Sequence, residues 1–162
     1  MQPIRIIEIP KMKAVFSGPL SSEEKLKGFI GWFSTYHASL EGELFPRDFM
    51  WYNERLHVRE WFYALPANAD LTQITNYEIV DLPSGLYAVA SCLDADLDNA
   101  KDWLGTRKEI IDWVNGSSRF DLYVNEEGKD EKYPMFHIIS PGWMMPMEIS
   151  IEDLYIPIVK KD

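Results

Sequence analysis

Two stretches decide the fold of this chain: "IRIIEIPKMKAVFSG", residues 4–18, and "NYEIVDLPSGLYAVAS", residues 76–91. When Pro10 is aligned with Pro83, both copies place an acid two positions before the proline and apolar residues on either side of that acid. Because proline cannot donate a ladder hydrogen bond, it marks the end of a strand, and each copy predicts strand, proline turn, strand. The same pattern recurring after about 73 residues indicates an internal duplication.

One helix and two further strands are predicted after each copy. The first helix begins at Ser21 or Ser22, where Ser21 and Glu24 have the spacing of a capping box. The second helix ends at Asn115-Gly116, a typical helix stop. The segments "FMWYNERL" and "REWFYALP" follow the first helix, and "RFDLYV" and "EDLYIPIV" follow the second. All four contain aromatic residues, and the two after the second helix also contain β-branched ones, which is typical of strands.

The order β-β-α-β-β, present twice, predicts the fold class. We expect an α+β fold in which duplicated halves, residues 1–75 and 76–162, are related by a pseudo-twofold axis within a single domain of residues 1–162. The strands would form an antiparallel sheet with the helices on one face. Two such halves side by side predict a ligand cleft between them.

Composition excludes several classes of function. The formal net charge of −10 disfavours binding to nucleic acid or to an anionic membrane, so we expect no direct nucleic-acid contact and no membrane contact by this chain. The N-terminus has no long apolar stretch, and the single Cys92 suits a reducing compartment, so we expect a cytoplasmic protein. The three histidines lie far apart and "DADLD", residues 94–98, lacks the glycine of a calcium loop, so we expect no metal and no cofactor.

The closing strand predicts a functional surface. Side chains alternate between the faces of a strand, so Asp153 and Tyr155 lie opposite the apolar Leu154 and Ile156. If this strand pairs with "RFDLYV", Tyr123 joins the same surface. An acid among aromatic rings suits flat, apolar and cationic molecules, although a solvated sheet face has the same composition.

Further aromatic residues are candidates for the same cleft. In "REWFYAL" the sequence does not decide which face carries the ligand, but Trp61 and Tyr63 share one of them. The apolar connector within residues 125–150 is either a cover for the core or a lid over a pocket. We therefore predict one set of ligand-binding residues, which are Trp51, Trp61, Tyr63, Tyr123, Trp143, Asp153 and Tyr155.

Five motifs, in their order along nearly the whole chain, resemble a known family. The segments are "FPRDFMWYN", "FYALP", "GLYAVA", "FHIISP" and "DLYIPIVKK". They are similar to the GyrI-like small-molecule-binding domain, which is also the effector-binding domain of AraC-type and MerR-type transcription regulators. The resemblance implies a carboxylate in the cleft, usually a glutamate two positions before the tyrosine of the closing strand. Asp153 occupies that position before Tyr155, and its shorter side chain leaves Glu148 or Glu152 as substitutes.

The resemblance implies two main functions. In the first, the chain binds small hydrophobic, aromatic and also cationic compounds, as a stand-alone sensor or as the effector module of a regulator whose longer parent carries a helix-turn-helix domain. In the alternative, it is a stand-alone hydrolase of strained cyclopropyl-containing genotoxic compounds, in which Asp153 activates water. A third reading, a protein inhibitor whose acidic surface imitates nucleic acid, rests on charge alone.

Overall fold

The computed structural model describes residues 3–40, 48–53, 55–82, 84–94, 101–124, 135–138 and 150–162. Within them it contains two helices, nine strands and a short 3₁₀ helix at Leu71–Gln73. The helices are α1 (Glu23–Ala38) and α2 (Lys101–Asn115). The strands, in chain order, are β1 (Arg5–Ile9), β2 (Met12–Pro19), β3 (Asp48–Asn53), β4 (Val58–Ala64), β5 (Glu78–Leu82), β6 (Gly85–Asp94), β7 (Phe120–Leu122), β8 (Met135–Ile138) and β9 (Ser150–Lys160).

The chain divides into two compact units. One runs without interruption from Met12 to Leu82, and we call it the continuous unit. The other consists of Met1–Lys11 together with Pro83–Asp162, and we call it the split unit. Each unit has an antiparallel sheet and one helix, which confirms the predicted duplicated α+β fold. The sheet has four strands in the continuous unit and, with β7 included, five in the split unit.

In the continuous unit the strand order is β3-β4-β2-β5, and α1 covers one face of this sheet. Ser22 is the N-cap of α1, because its side chain accepts a hydrogen bond from the backbone N–H of Lys25. The helix buries Phe29 and Phe33, whose rings contact Trp61 of β4 at centroid distances of 6.2 and 5.3 Å. These contacts establish which face of β4 belongs to the core beneath α1.

In the split unit the strand order is β1-β6-β9-β8, and β7 also pairs with β9. The helix α2 packs on β6, β7 and β9 and buries Ile110 and Val114 completely. Trp113 of α2 stacks on Phe120 of β7 at 6.4 Å, so the face of the sheet that carries Phe120 is the one covered by α2. Within the described part of the chain, neither helix combines the length and apolarity that a membrane crossing requires.

The first strand of each sequence copy pairs outside the half in which the sequence places it. β1 pairs with β6, and β5 pairs with β2. The compact units therefore differ from the expected halves of residues 1–75 and 76–162. The physical reason is that β2 already has β4 and β5 on its two edges, so β1 cannot pair with it across the proline turn.

The apolar connector contains a strand that the sequence pattern did not reveal. Met135–Ile138 forms β8, which pairs antiparallel with β9, so this part of the connector belongs to the sheet of the split unit. Residues 125–134 and 139–149 lie outside the described residues. The predicted lid over a pocket therefore stays a prediction.

Candidate functional site

The closing strand β9 presents two different faces. Leu154, Ile156 and Ile158 share the face of Phe120 and Leu122, which is covered by α2. Asp153 and Tyr155 lie on the opposite face. We call that side of the split unit the helix-free face. It is not a solvated surface, because every residue from 152 to 158 is buried, including those that point away from α2.

The strands β1, β6 and β9 together build the helix-free face. The register pairs Arg5 with Val89, and Val89 with Tyr155. It also pairs Ser91 with Asp153. Directly paired residues of antiparallel strands point to the same side of a sheet. Three strands that are distant in sequence therefore bring a base, a hydroxyl, an acid and a phenol onto one surface.

Asp153 is held in a hydrogen-bonded ion pair. Its Oδ1 atom accepts a hydrogen bond from Arg5 Nη2 at 2.5 Å and another from Ser91 Oγ at 2.6 Å. Arg5 Nη2 also lies 3.3 Å from Ser91 Oγ, so the three groups form a closed triangle. The Asp153 side chain is 7% exposed, whereas that of Arg5 is 46% exposed. The carboxylate is thus buried while its counter-ion reaches the surface.

Two tyrosines lie beside this triangle. The rings of Tyr87 and Tyr155 meet edge to face at 6.0 Å. Burial raises the pKa of both phenols to about 12, and for Tyr155 the negative charge of Asp153 adds to that rise while Arg5 opposes it. Both hydroxyls therefore stay protonated at neutral pH and can donate hydrogen bonds.

The hydroxyl of Tyr87 is the unexplained polar group of the face. Tyr87 is fully buried, and its hydroxyl is the buried side-chain polar atom that lacks a hydrogen-bond partner within the described part of the chain. A buried polar atom without a partner loses about 1–3 kcal/mol relative to water. Such a group calls for an explanation, and a bound molecule is one of the usual ones.

Tyr123 directly follows β7 in the chain. The register of β7 with β9 pairs Asp121 with Val159, and the Tyr123 N–H donates to Pro157 O at 3.0 Å. This hydrogen bond continues the pairing with β9 beyond the end of β7. Because side chains alternate along a strand, Tyr123 points to the same side as Asp121, which is the helix-free face. Tyr123 is half-buried.

Trp61 and Tyr63 lie elsewhere, in the core beneath α1. Tyr63 is completely buried, and its hydroxyl lies 2.6 Å from Nδ1 of His37. Its ring stacks on Phe33 at 5.9 Å. Trp61 donates from Nε1 to Asp48 Oδ2 at 2.8 Å. The expected role of these two residues in ligand binding gains no support from this packing, because both side chains are buried against α1.

The duplication places a second acid at the position equivalent to Asp153. In the β2–β4 ladder Phe16 pairs with Phe62, as Val89 pairs with Tyr155 in the β6–β9 ladder. By this correspondence Phe62 matches Tyr155, and Glu60 matches Asp153. Phe62 stacks on Phe16 at 4.9 Å, on the side of the sheet away from α1.

The environment of Glu60 differs from that of Asp153. Glu60 accepts a hydrogen bond from Asn53 Nδ2 at 3.3 Å, and Trp51 lies opposite it on β3. Burial raises the pKa of Glu60, and the hydrogen bond from Asn53 and the charge of Arg55 oppose that rise. Trp51 is half-buried on this side of the sheet, away from Trp61 and Tyr63.

Replacing Glu60 by glutamine is expected to change the dependence of stability on pH. Because the pKa of Glu60 is raised in the folded protein, the folded protein binds the proton more tightly than the unfolded chain. The stability that this group contributes is therefore full in acid and is lost as the pH rises through the raised pKa. Glu60→Gln keeps the acceptor for Asn53 and abolishes that loss.

Urea denaturation between pH 4 and pH 7.5 would measure this difference. Relative to wild type, Glu60→Gln should become more stable toward neutral pH. Glu78→Gln removes an exposed carboxylate from β5 of the same sheet and is the control for net charge. Parallel pH profiles of wild type and Glu60→Gln would contradict the expectation.

Three predicted positions remain, which are Trp143, Glu148 and Glu152. Trp143 and Glu148 lie outside the described residues. Glu152 pairs with Cys92 and therefore points to the opposite face from Asp153. Among the described residues, no three histidine, cysteine or acidic side chains are grouped as a metal site would require.

Sequence reasoning missed three contributors to the face, which are Arg5, Ser91 and Tyr87. A signal for Glu60 was present in the sequence, because "EWFY", residues 60–63, matches "DLYI", residues 153–156, as acid followed by three large apolar or aromatic residues. No comparable signal marks Arg5, because nothing in the sequence indicates that β1 pairs with β6.

Comparison with solved structures identifies proteins of similar fold. A hydrolase from Listeria innocua matches with a TM-score of 0.65 at 10% sequence identity, over 98% of this chain and 92% of that one. The EcmrR C-terminal domain matches with a TM-score of 0.58 at 12% identity, over 99% of both chains. EcmrR in a complex with DNA matches with a TM-score of 0.61 at 13% identity, where 98% of this chain spans 58% of that protein. No family model and no curated protein matches the sequence. At these identities the likeness concerns the fold.

Proposed function

From the premise that the chain has a GyrI-like fold, we propose that its helix-free face binds a small aromatic or hydrophobic molecule. The observation that carries this proposal is the buried Tyr87 hydroxyl, which has no hydrogen-bond partner among the described residues and lies beside Tyr155. A ligand with an acceptor atom would satisfy that hydroxyl, and the two rings would supply apolar contact area.

The proposed contacts extend the set expected from the sequence. Asp153, Tyr155 and Tyr123 share the face, and Tyr87 joins them. Trp51 and Trp143 remain proposed ligand contacts, and Trp51 lies on the side of its own sheet that α1 does not cover. Trp61 and Tyr63 are left out of the proposal, because both are core residues beneath α1.

Tyr87→Phe is expected to stabilise the free protein and to weaken ligand binding. Removing the unpartnered hydroxyl relieves a desolvation penalty, so the free energy of unfolding should rise by roughly 1 kcal/mol. The same change removes a donor, so aromatic dyes that carry a carbonyl or ether acceptor should bind more weakly by about 0.5–1.5 kcal/mol. Urea denaturation and calorimetric titration of one dye measure the two effects on the same preparation.

A matched control keeps this test specific. Tyr52→Phe removes a hydroxyl from a tyrosine that is 41% exposed and should change neither quantity. A panel of neutral and charged polycyclic dyes, screened by tryptophan fluorescence, supplies the probes. If none of the dyes binds, or if Tyr87→Phe and Tyr155→Ala leave every dissociation constant unchanged, the face is not a ligand site.

We propose further that binding serves transcription regulation, with the chain as an effector module or as a stand-alone sensor. The fold of the EcmrR C-terminal domain supports this, and the comparison with the EcmrR–DNA complex extends it to a protein that contacts DNA. In such an arrangement DNA contact would come from a helix-turn-helix domain in a longer parent. Sequencing the native reading frame around this chain tests that point, since an in-frame helix-turn-helix region is the expected result.

A hydrolase is the alternative, and one feature of Asp153 favours it. Oδ1 accepts both hydrogen bonds, from Arg5 and from Ser91, and Oδ2 accepts none from a described residue. An open carboxylate oxygen among aromatic rings has the chemistry to take a proton from water as the water oxygen attacks an electrophilic cyclopropyl carbon. A carbon–carbon bond of the strained ring breaks in that step, and its electron pair stays on the leaving carbon, which then takes up a proton from solvent. The substrate in this alternative is a strained cyclopropyl-containing compound, and the matching Listeria innocua hydrolase shares the fold.

A further inference from the structure

Arg5 occupies the position beside Asp153 that a cationic ligand would be expected to take. Its Nη2 atom lies 2.5 Å from Asp153 Oδ1, within charge-assisted hydrogen-bond distance. Arg5 is on β1, and β1 lies on β6 in the split unit, so the pair forms without any segment from the continuous unit. The acid of the proposed site is therefore already neutralised by the chain itself.

We infer that Arg5 sets the charge preference of the site, so that the helix-free face takes uncharged or anionic aromatic molecules in preference to cationic ones. This inference rests on the proposed function and specifies its ligand class. The chemical class that fits is a flat aromatic compound carrying a carboxylate or a carbonyl group.

The reason is that a cation gains little at a carboxylate that already has a counter-ion. To reach Oδ1 it would have to displace the guanidinium, which gives up the hydrogen bonds with Asp153 and Ser91. If it binds alongside, it meets a like charge at short range, which is unfavourable. The acidic surface of the protein attracts cations at long range, but salt screens that field beyond about 8 Å at physiological ionic strength.

The exposed side of Arg5 favours the opposite class of ligand. Both hydrogen bonds of its guanidinium come from Nη2, so within the described residues Nε and Nη1 have donors to spare. These donors have the geometry that suits a carboxylate or a carbonyl oxygen. The Arg5 side chain is 46% exposed, so the donors are reachable. Neutral Tyr87 supplies another donor on the same face.

Calorimetric titration with three matched probes tests the inference. The probes are naphthalenes that carry a trimethylammonium, a tert-butyl or a carboxylate group, so that size is held nearly constant while charge changes. Wild type should bind the neutral and anionic probes more tightly than the cationic one. Arg5→Met should tighten binding of the cationic probe by about tenfold to a hundredfold, because it exposes an uncompensated carboxylate. The same variant should bind the anionic probe more weakly than wild type does, and its dissociation constant for the neutral probe should stay within about threefold of the wild-type value.

Three further variants isolate the role of the pair. In Arg5→Met/Asp153→Asn the gain for the cationic probe should disappear, because the carboxylate that attracts it is gone. Arg5→Lys keeps the charge and should keep the wild-type order of affinities. Lys13→Met is the matched control, since it breaks an exposed ion pair with Asp81 in the continuous unit and should leave all three affinities unchanged. Thermal denaturation checks that each variant is folded.

The outcomes separate the inference from the proposed function. If no probe binds wild type, or if Asp153→Asn and Tyr155→Ala change no affinity, the proposed function fails and the inference with it. If the probes bind and depend on Asp153 and Tyr155, but Arg5→Met leaves the ratio of cationic to neutral affinity unchanged, only the inference is overturned. A wild type that prefers the cationic probe also overturns it.

Discussion

Trp61→Ala is expected to lower the free energy of unfolding by about 3–5 kcal/mol, the range for truncating a buried aromatic side chain. Trp61 is 6% exposed and contacts the rings of Phe29 and Phe33 from α1. Its indole also donates to Asp48, whose carboxyl group is itself buried, so the variant loses a hydrogen bond to a buried polar group as well as packing. Urea denaturation followed by circular dichroism measures the loss.

Two comparisons distinguish this core role from ligand binding. Trp61→Phe keeps an aromatic ring between α1 and the sheet and should lose clearly less stability than Trp61→Ala. Trp51→Ala removes the same side chain from the other face of the same sheet, where Trp51 is half-buried, and should be the milder change. A Trp61→Ala protein that unfolds like wild type yet no longer binds dyes would contradict the placement of Trp61 in the core and restore its expected role in the cleft.

Asp153→Asn is expected to reduce turnover by about 100- to 10,000-fold if the chain is a hydrolase, which is the usual contribution of a general base. The substitution keeps the shape of the side chain and an acceptor oxygen for Ser91, but it removes the charge and the open basic oxygen. Binding of a neutral substrate should survive, because the tyrosine rings that supply contact area are unchanged. Incubation with a strained cyclopropyl electrophile, with chromatographic detection of the ring-opened product, measures turnover, and calorimetry measures binding.

The control for this substitution is Asp121→Asn. Asp121 lies on β7, points to the same face of the sheet as Asp153, is exposed, and forms an ion pair with Lys161 at 3.2 Å. Asp121→Asn therefore changes the net charge of the protein as much as Asp153→Asn does, without altering the site. If wild type shows no turnover, the hydrolase alternative is excluded and the binding function stands alone. If wild type turns over substrate and Asp153→Asn does so equally well, the general base lies elsewhere, and Glu60 is the next carboxylate to replace.

The duplication and its strands could be predicted because they depend on local patterns. A proline at the same point of both copies ends a strand wherever the chain goes afterwards. The two-residue period of a strand also holds regardless of its partners, so the separation of Asp153 and Tyr155 from Leu154 and Ile156 followed from the sequence of β9 alone. The same alternation placed Trp61 and Tyr63 on one face of their strand. Alternation alone, however, does not show which face of the sheet the helix covers.

The composition of the candidate site was decided by tertiary structure, because it depends on which strands become neighbours. Arg5 and Asp153 are separated by 148 positions and meet because β1 lies on β6 and β6 lies on β9. The ring contacts of α1 place Trp61 in the core, and the absence of any partner within the described residues singles out the Tyr87 hydroxyl. The sequence by itself determined the elements, the repeat and the parity of each strand, since these arise from interactions between near neighbours. The order of strands in each sheet determined which side chains form the candidate site, since long-range pairing is chosen by burial and hydrogen bonding of the whole fold.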